Sequence, residues 1–387
     1  MVKGKRDGLL IAGGGLSGCL AALAMARARP EVPVLLVQDG DTFGGNHTWS
    51  FFDGDIAESD RWLMEGLISH CWQGYYVAFP EHSRKLKSGY NSVLSTDLDR
   101  LVRERLRPDQ YRLGTKVVAV RDNELVLLGG EKIRADGAID ARGAANLSML
   151  DLGWQKFFGR EYRFAKPHGV DRPVIMDATV DQLDGYRFVY CLPFSDTRML
   201  VEDTYYSDTP DLDTARLGER LDAYLAQRRW VAAEVEREES GVLPVAIGGD
   251  FGGFWRVGGA RVAKFGMRGG FFHPTTGYTL PDAVRTAIML TRQKDLNGAV
   301  LHNVFETYAA QTWKKRDFYR ALNTLLFRAA EPPQRYKVLE RFYRLDQALI
   351  ARFYAGQSSM LDRVRILSGK PPVPVGKAMS ALNQRVK

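Results

Sequence analysis

Three glycines near the start of the chain have the spacing of a phosphate-binding turn. Gly13, Gly15 and Gly18 follow the short apolar segment Leu9–Ala12 and precede a stretch rich in alanine and leucine. In a dinucleotide-binding βαβ unit the first glycine makes a tight turn. The second lets the backbone approach the pyrophosphate, and the third lets the helix pack on the strand. Because the helix N-terminus also offers free N–H groups to phosphate, this spacing predicts dinucleotide binding.

The same stretch has a second interpretation. Residues 8–26 are uncharged and follow Lys3, Lys5 and Arg6, as in a membrane anchor or a signal peptide. Four glycines within six residues would weaken a membrane-spanning helix, however. A second apolar segment, Val34–Val37, also follows at the distance that a βαβ unit requires. We therefore favour the nucleotide-binding interpretation.

The residue after this second segment departs from the usual pattern. An acidic side chain commonly accepts hydrogen bonds from the ribose hydroxyls at this position, but here the chain has Gln38. Its amide could still bond a ribose without the charge. Strand alternation predicts that the following Asp39 points the other way.

A pair of adjacent carboxylic acids, Glu202 and Asp203, ends an apolar run and could transfer protons. Adjacent residues of a strand face opposite ways, so one of the two should enter a pocket and the other should point away. Burial would raise the pKa of the inward carboxyl and suit it to acid–base work near neutral pH. The alternative interpretation is that both carboxylates are simply exposed to solvent at a strand end or turn.

Histidines and cysteines give no sign of a metal site. The six histidines form no HxxxH or HExxH arrangement, and the three cysteines are scattered along the chain. We therefore predict no metal. Free cysteines of this kind fit a reducing, cytoplasmic setting.

The basic charge of the chain is concentrated at its C-terminal end. The net charge is +8, and residues 301–387 contain sixteen Lys and Arg against six Asp and Glu. Apolar residues recur there at helical spacing, with aromatic residues and cations interleaved. One interpretation is a helical subdomain with a solvated basic face. The other is a surface that docks on anionic lipid, with Lys314, Lys315 and Arg316 binding phosphates. No nucleic-acid-binding module is recognisable, so we predict no nucleic acid partner.

The sequence also predicts the strands and helices that would position these residues. Segments 115–120 and 124–128 predict a hairpin, and 138–143 predicts a buried strand that ends at Gly143. Strand formers at 173–177, 186–192 and 198–206 predict an antiparallel sheet. Helices are predicted at 97–106, 214–237 and 281–292, the last behind the glycine-rich segment 265–280.

Eight motifs in the chain are long and chemically unusual. They are GGNHTWSF at 44–51, KSGY at 87–90, IMDATVD at 175–181, GYRFVY at 185–190, VEDT at 201–204, FHPTTGY at 272–278, RFYAG at 352–356 and RILSGKPPVP at 365–374. Together they resemble the bacterial lycopene β-cyclases over about residues 8–375. Gln38 is the clearest local departure from that family.

The resemblance implies an α/β chain, α+β overall, with a Rossmann-like flavoprotein fold. A discontinuous FAD-binding domain would comprise residues 1–75, 95–150 and 255–300. An antiparallel-sheet substrate domain would comprise 76–94 and 151–254, and residues 301–387 would form a basic helical region.

The cofactor implied by the resemblance is FAD in its reduced form, with NADPH or NADH as the source of electrons. The residues expected to bind FAD are Gly13, Gly15, Gly18, Gln38, Gly44, Gly45, Val117, Asp140, Gly143 and Gly277.

The implied reaction closes a ring at each end of lycopene, giving γ-carotene and then β-carotene without net redox change. By analogy Glu202 is the inward acid or base, Asp203 is its neighbour, and His273 is either a proton relay or a structural histidine. Five aromatic residues either line a polyene tunnel or simply pack in the core: Trp49, Phe51, Tyr186, Phe188 and Tyr190.

A substrate held in a membrane implies a peripheral protein on the cytoplasmic face of the inner membrane. That location would bring contact with anionic lipid and allow contact with other carotenoid-pathway enzymes. Two rival functions stay open on the sequence alone. One is a redox flavoprotein of the same fold, a monooxygenase or reductase, and the other is a non-enzymatic, membrane-associated nucleotide-binding protein.

Overall fold

The computed structural model describes residues 7–144, 147–369 and 372–385. Lys3, Lys5 and Arg6 lie outside the described residues, and so does part of the motif at 365–374.

The described residues form strands and α-helices in alternating groups. The strands are β1 (Leu9–Ala12), β2 (Val34–Val37), β3 (Thr48–Phe52), β4 (His70–Trp72), β5 (Tyr75–Phe79), β6 (His82–Leu86), β7 (Tyr90–Leu94), β8 (Tyr111–Arg112), β9 (Val117–Val120), β10 (Glu124–Leu127), β11 (Lys132–Arg134), β12 (Gly137–Asp140), β13 (Leu150–Phe164), β14 (Val174–Asp177), β15 (Tyr186–Pro193), β16 (Arg198–Ser207), β17 (Ala232–Gly249) and β18 (Ala263–Lys264). The helices are α1 (Leu16–Ala28), α2 (Ser95–Arg105), α3 (Thr214–Arg228), α4 (Phe251–Arg256), α5 (Leu280–Thr291), α6 (Gly298–Lys315), α7 (Asp317–Thr324), α8 (Tyr336–Phe342), α9 (Gln347–Tyr354), α10 (Met360–Leu367) and α11 (Val375–Asn383).

The first βαβ unit has the predicted form. A parallel sheet runs in the order β18-β12-β1-β2-β8, and both β1 and β2 are buried throughout. Helix α1 packs against α5 on this sheet, and both helices contribute buried alanines to the same core cluster. The predicted hairpin is β9 and β10, which with β11 forms a small antiparallel sheet.

A seven-stranded sheet in the order β17-β13-β16-β15-β14-β5-β6 forms the second layer. The predicted antiparallel pairing is confirmed for β14, β15 and β16. Strands β5 and β14, however, pair in parallel. Between β6 and β14 the chain contributes strands to the nucleotide-binding sheet. No tight hairpin therefore joins β14 to the β5–β6 pair and forces an antiparallel direction on it. Strand β7, within the predicted segment 76–94, instead pairs with β3 and β4 in a separate small sheet.

The helix predicted at 214–237 is too long. Helix α3 ends at Arg228, because Arg229 adopts a left-handed conformation with φ of 56° that caps it. Residues 232–249 then form β17, which pairs along the whole of β13. The interstrand hydrogen bonds outweigh the helical character of this charged segment.

The C-terminal region is helical, as predicted, and its aromatic residues pack on the large sheet. Several of its cations are buried, which corrects the expected lipid contact of Arg316. That guanidinium binds the carboxylate of Asp282 on α5 at 2.6 and 2.9 Å. Arg335 is also buried and binds Asp208, whereas Lys314 and Lys315 are exposed. Among the described residues, no helix combines the length and the apolar character needed to cross a bilayer.

Candidate functional site

The three glycines of the first turn differ in what surrounds them. Gly13 has a φ of +102°, a conformation that side-chain-bearing residues rarely adopt. A Cβ on Gly18 would lie 1.9 Å from the carbonyl oxygen of Gly13, so only glycine lets α1 pack so closely. A Cβ on Gly15 would meet nothing within 4 Å and would project into open space. The turn therefore has the geometry that pyrophosphate binding requires.

A cleft of about 510 Å³ lies against this turn. Its lining includes these predicted cofactor-binding residues: Gly13, Gly15, Gln38, Gly44, Gly45, Val117 and Gly143. Much of this wall is backbone at glycines, which suits close contact with a flat or phosphate-bearing ligand. We call it the dinucleotide cleft.

Gln38 lies in the dinucleotide cleft but is already engaged. Its Oε1 accepts a hydrogen bond from the N–H of Gly14 at 2.9 Å, and its Nε2 donates to the carbonyl of Thr42 at 3.3 Å. The side chain thus ties the glycine turn to the following loop. Asp39 lines the cleft as well, contrary to the expectation from strand alternation, because β2 ends at Val37 and the alternation ends with it.

The other predicted cofactor residues lie beside the cleft. Asp140 is fully buried, and its carboxylate accepts hydrogen bonds from the Arg142 guanidinium at 2.9 and 2.8 Å. It holds Arg142, which does line the cleft and which the sequence analysis missed. Gly18 packs behind the turn, and Gly277 lines a neighbouring cavity.

That neighbouring cavity, of about 220 Å³, contains Glu202. The residue belongs to a row that crosses four strands of the large sheet. Tyr190 on β15 lies opposite Glu202 on β16, and Glu202 lies opposite Gly159 on β13. Gly159 in turn lies opposite Glu239 on β17. Because Gly159 has no side chain, the two glutamates can lean over it toward each other. We call this space the acid cavity.

The carboxyl groups of Glu202 and Glu239 are close enough to perturb the ionisation of each other. Burial raises the pKa of Glu202 well above its ordinary value, and the neighbouring Glu239 carboxyl raises it further. Burial also raises the pKa of Glu239, but Arg237 and Thr48 each bind its Oε2 at 2.9 Å and favour its charged form. Both shifts favour the protonated form, and the hydrogen bonds from Arg237 and Thr48 make Glu239 the more readily ionised of the two.

Glu239 was missed by the sequence analysis. The helix extrapolated to residue 237 ended just before it and hid the register of β17. A signal was present in Gly159, because a glycine inside a strand often marks a close approach of neighbouring groups.

Asp203 faces the opposite side of the sheet from Glu202, as strand alternation predicts. Its carboxylate is fully buried and accepts hydrogen bonds from the Arg187 guanidinium at 2.5 to 3.0 Å. Asp203 does not line the acid cavity, and its carboxylate instead pairs with Arg187 on the side of the sheet that α3 covers.

His273 is held entirely by backbone groups. Its Nδ1 accepts from the N–H groups of Thr275 and Thr276 at 3.3 Å, and its Nε2 lies 3.1 Å from the carbonyl oxygen of Phe353. Burial, with Arg316 nearby, lowers the pKa of His273 to about 3, so the ring is neutral. It lines neither the dinucleotide cleft nor the acid cavity. This geometry favours the structural interpretation over a proton relay.

Three of the five predicted tunnel aromatics line the acid cavity: Trp49, Phe188 and Tyr190. Tyr186 lines a second cavity farther along the sheet, and Phe51 is packed in the core of the nucleotide-binding domain. The Tyr190 hydroxyl also belongs to a row of three buried hydroxyls. It lies 2.8 Å from the Tyr90 hydroxyl, which in turn lies 2.7 Å from the Tyr278 hydroxyl. Burial raises the pKa of all three tyrosines well above the ordinary value, so they present neutral, π-rich faces.

The dinucleotide cleft and the acid cavity adjoin each other. His47, Trp49, Met267 and Thr279 line both of them. A flat ligand in the cleft would therefore face the acid cavity, which is lined mainly by apolar and aromatic side chains together with Glu202 and Glu239. Within the described part of the chain, no group of three or more His, Cys, Asp or Glu side chains is placed to hold a metal ion.

Comparison with known proteins gives a consistent result. A family model described as "Lycopene cyclase protein" matches residues 8–380. Lycopene beta-cyclase of Pantoea ananas is 42% identical over 374 residues, covering 97% of each chain. The enzyme of the same name from Paracoccus sp. (strain N81106 / MBIC 01143) is 42% identical over 381 residues, again covering 97% of each chain.

The fold is shared more widely. A solved flavin-dependent brominase superposes with a TM-score of 0.60 at 13% identity, covering 91% of this chain and 94% of its own. At that identity the likeness shows the flavoprotein-like fold alone. The family match covers the glycine turn, the acid cavity and nearly all of the C-terminal helices, and the chain therefore belongs to the lycopene cyclase family.

Proposed function

We propose that this protein is a lycopene β-cyclase, which converts lycopene through γ-carotene into β-carotene by acid–base chemistry. The observation that carries the proposal is the buried Glu202, whose pKa is raised by burial and by Glu239, in a largely apolar cavity that adjoins a dinucleotide cleft. Relatives named lycopene beta-cyclase at 42% identity support the choice of substrate. The reaction would be an intramolecular isomerisation with no net transfer of hydride or oxygen.

The proposed cofactor is FAD in its reduced form, with NADPH or NADH as its source of electrons. The glycine turn, Gly44, Gly45 and Gly143 would hold the dinucleotide, and Arg142 would face its phosphates or ribose. When bound, reduced FAD supplies a flat, electron-rich surface beside a developing cation. The flavin-dependent brominase of similar fold supports this choice of cofactor.

Glu202 would deliver the first proton. Thr204 Oγ1 donates to Glu202 Oε1 at 2.5 Å, which leaves Oε2 to carry the acidic proton in the proposed reaction. Its transfer to a terminal alkene carbon leaves a tertiary carbocation and a glutamate. The electron pair of a neighbouring double bond then closes the ring, and loss of a ring proton forms the new alkene. Return of that proton to the carboxyl pair balances the reaction.

The cavity would also stabilise the positive charge while the ring closes. Trp49, Phe188 and Tyr190 present aromatic faces, which attract cations. The Glu202–Glu239 pair gains one further negative charge when Glu202 protonates the substrate, at a place where water does not screen it. The scarcity of water would also protect the cation from capture.

A polyene substrate resides in a bilayer, so we also propose that the protein is peripheral to the cytoplasmic face of the inner membrane. The surplus of cations in the C-terminal region supports contact with anionic lipid. Lys314 and Lys315 remain available for such contact, whereas Arg316 serves the internal ion pair with Asp282.

Expression in lycopene-accumulating cells tests the activity directly. The parental protein should turn the red extract orange, and the product should have the same mass as lycopene. Glu202→Gln keeps the side-chain size but removes the acidic proton, so it should leave lycopene unchanged while the folded protein still binds flavin. Glu238→Gln, a neighbouring exposed position, is the matched control. A product that had gained oxygen or hydrogen would instead favour a redox flavoprotein.

A further inference from the structure

The two C-terminal helices α10 and α11 present apolar side chains to solvent. On α10 these are Met360, Leu361, Val364 and Leu367, with Leu361 82% exposed. Their spacing places them on one side of the helix.

On α11 the exposed apolar residues are Val375, Met379 and Leu382, again one turn apart. Together with the four on α10 we call them the C-terminal apolar face. Isolated exposed apolar residues are ordinary on protein surfaces, but two neighbouring helical stripes of them mark an interaction site.

Basic side chains lie beside this face. Arg365 on α10 and Lys377 on α11 are both exposed. Arg363 is held near the face by its guanidinium, which lies 5.3 Å from the ring centroid of Phe318. Apolar stripes flanked by cations are typical of helices that lie in the interfacial layer of an anionic bilayer.

Behind the C-terminal apolar face is a second cavity, of about 180 Å³ and almost wholly apolar. Leu367 of α10 and Ala378 of α11 line its outer end, and Leu367 is also 56% exposed. At its inner end, Met176, Tyr206, Thr276 and Tyr354 line both this cavity and the acid cavity. The two cavities therefore adjoin at these four side chains, and together they form an apolar path, which we call the passage, from the exposed helices toward Glu202.

We propose that α10 and α11 dock in the surface of a lipid bilayer and that lycopene enters between them into this passage. The proposal rests on the proposed cyclase function for the identity of the ligand. A bilayer is favoured over a second copy of the chain because the face surrounds the mouth of an apolar passage, and only a lipid phase would both cover the face and deliver a polyene to it.

Vesicle binding tests the docking surface. The holoprotein would be floated with vesicles of phosphatidylcholine, with and without phosphatidylglycerol. The double variant Leu361→Glu/Val364→Glu should bind vesicles at least about tenfold more weakly than the parent, because each position loses the free energy of burying an apolar side chain in lipid. Leu128→Glu, at an equally exposed apolar position on the nucleotide-binding domain, is the matched control and should partition as the parent does.

Three results would overturn the docking proposal. Equal partitioning of the parent and the double variant would show that the C-terminal apolar face does not contact lipid. No partitioning of the parent into either vesicle would exclude a bilayer as the occupant. A variant that lost self-association in sedimentation while keeping its vesicle binding would identify a second copy as the occupant.

Ala378→Trp tests the passage itself. It should keep vesicle binding and flavin absorbance but lose most cyclisation of lycopene, since an indole would fill the mouth. Cyclisation at the parental rate would refute the entry route.

Detergent-solubilised lycopene separates this proposal from the proposed function. There the double variant should match the parent, because no bilayer has to be engaged. If the parent itself formed no β-carotene in detergent, the cyclase function would fail, and the vesicle result would still decide the docking surface.

Discussion

Replacing Glu239 by glutamine removes a negative charge beside Glu202 and keeps the size of the side chain. The two glutamates are two strands apart, each opposite Gly159, so their backbones are separated by about 9.6 Å. With an effective dielectric constant of about 20, two unit charges at that distance repel by about 1.7 kcal/mol, or about 1.3 pK units. The carboxyls lean together, so this value is a lower bound.

The direction of the effect follows from the proposed role of Glu202 as the acid. Glu239→Gln lowers the pKa of Glu202, because the charge that opposed its ionisation is gone. Activity requires protonated Glu202 and is lost as pH rises through its pKa. The alkaline limb of the rate profile should therefore move to lower pH by about one unit or more.

Initial rates of β-carotene formation from detergent-solubilised lycopene, measured across pH at saturating flavin, report this shift. Glu238→Gln is the control, since its side chain is half-exposed on the other face of β17 and pairs with Arg160. An alkaline limb that stayed in place in Glu239→Gln, or moved to higher pH, would refute the carboxyl pair.

Three further predictions concern the cofactor and the stability of the fold. Gly15→Val should fold but lose flavin absorbance, because its side chain would enter the dinucleotide cleft, whereas Gly18→Val should lower the yield of folded protein through a backbone clash. Asp282→Ala leaves the buried Arg316 unpaired and should cost about 3–5 kcal/mol in urea unfolding, and adding Arg316→Met should recover part of this loss; an unchanged unfolding midpoint would contradict the ion pair. Although burial opposes ionisation, Arg316 holds the pKa of Asp282 below its ordinary value, so this stability should be present at neutral pH and lost as pH falls through that lowered pKa. Asp203→Asn should reduce stability yet retain more cyclisation than Glu202→Gln, and equal loss of activity in the two variants would place Asp203 in the reaction.

Local patterns predicted local structure well. The bounds of β1 and β2 agree with the sequence prediction, because each is a short apolar run bordered by a glycine turn or a polar loop. The opposite orientations of Glu202 and Asp203 also followed from strand alternation.

The predictions that were wrong or incomplete concern contacts between distant parts of the chain. Strand β17 becomes a strand because β13 offers it hydrogen-bonding partners, and nothing within residues 229–237 specifies that pairing. Glu239 was missed for the same reason, since its meeting with Glu202 requires the register of three strands. Arg316 was assigned to lipid from local charge, but a carboxylate on α5 buries it.

In the proposed passage from α10 and α11, Glu202, the proposed acid, lies at the inner end, beside the dinucleotide cleft. A linear molecule with two identical ends can present only one end there at a time. After the first ring closes, the one-ring product must leave the passage, reverse its direction in the lipid and enter again by its other end. The one-ring product therefore competes with lycopene for each entry into the passage. Abundant lycopene should favour one-ring carotenoid, and scarce lycopene should favour two-ring carotenoid.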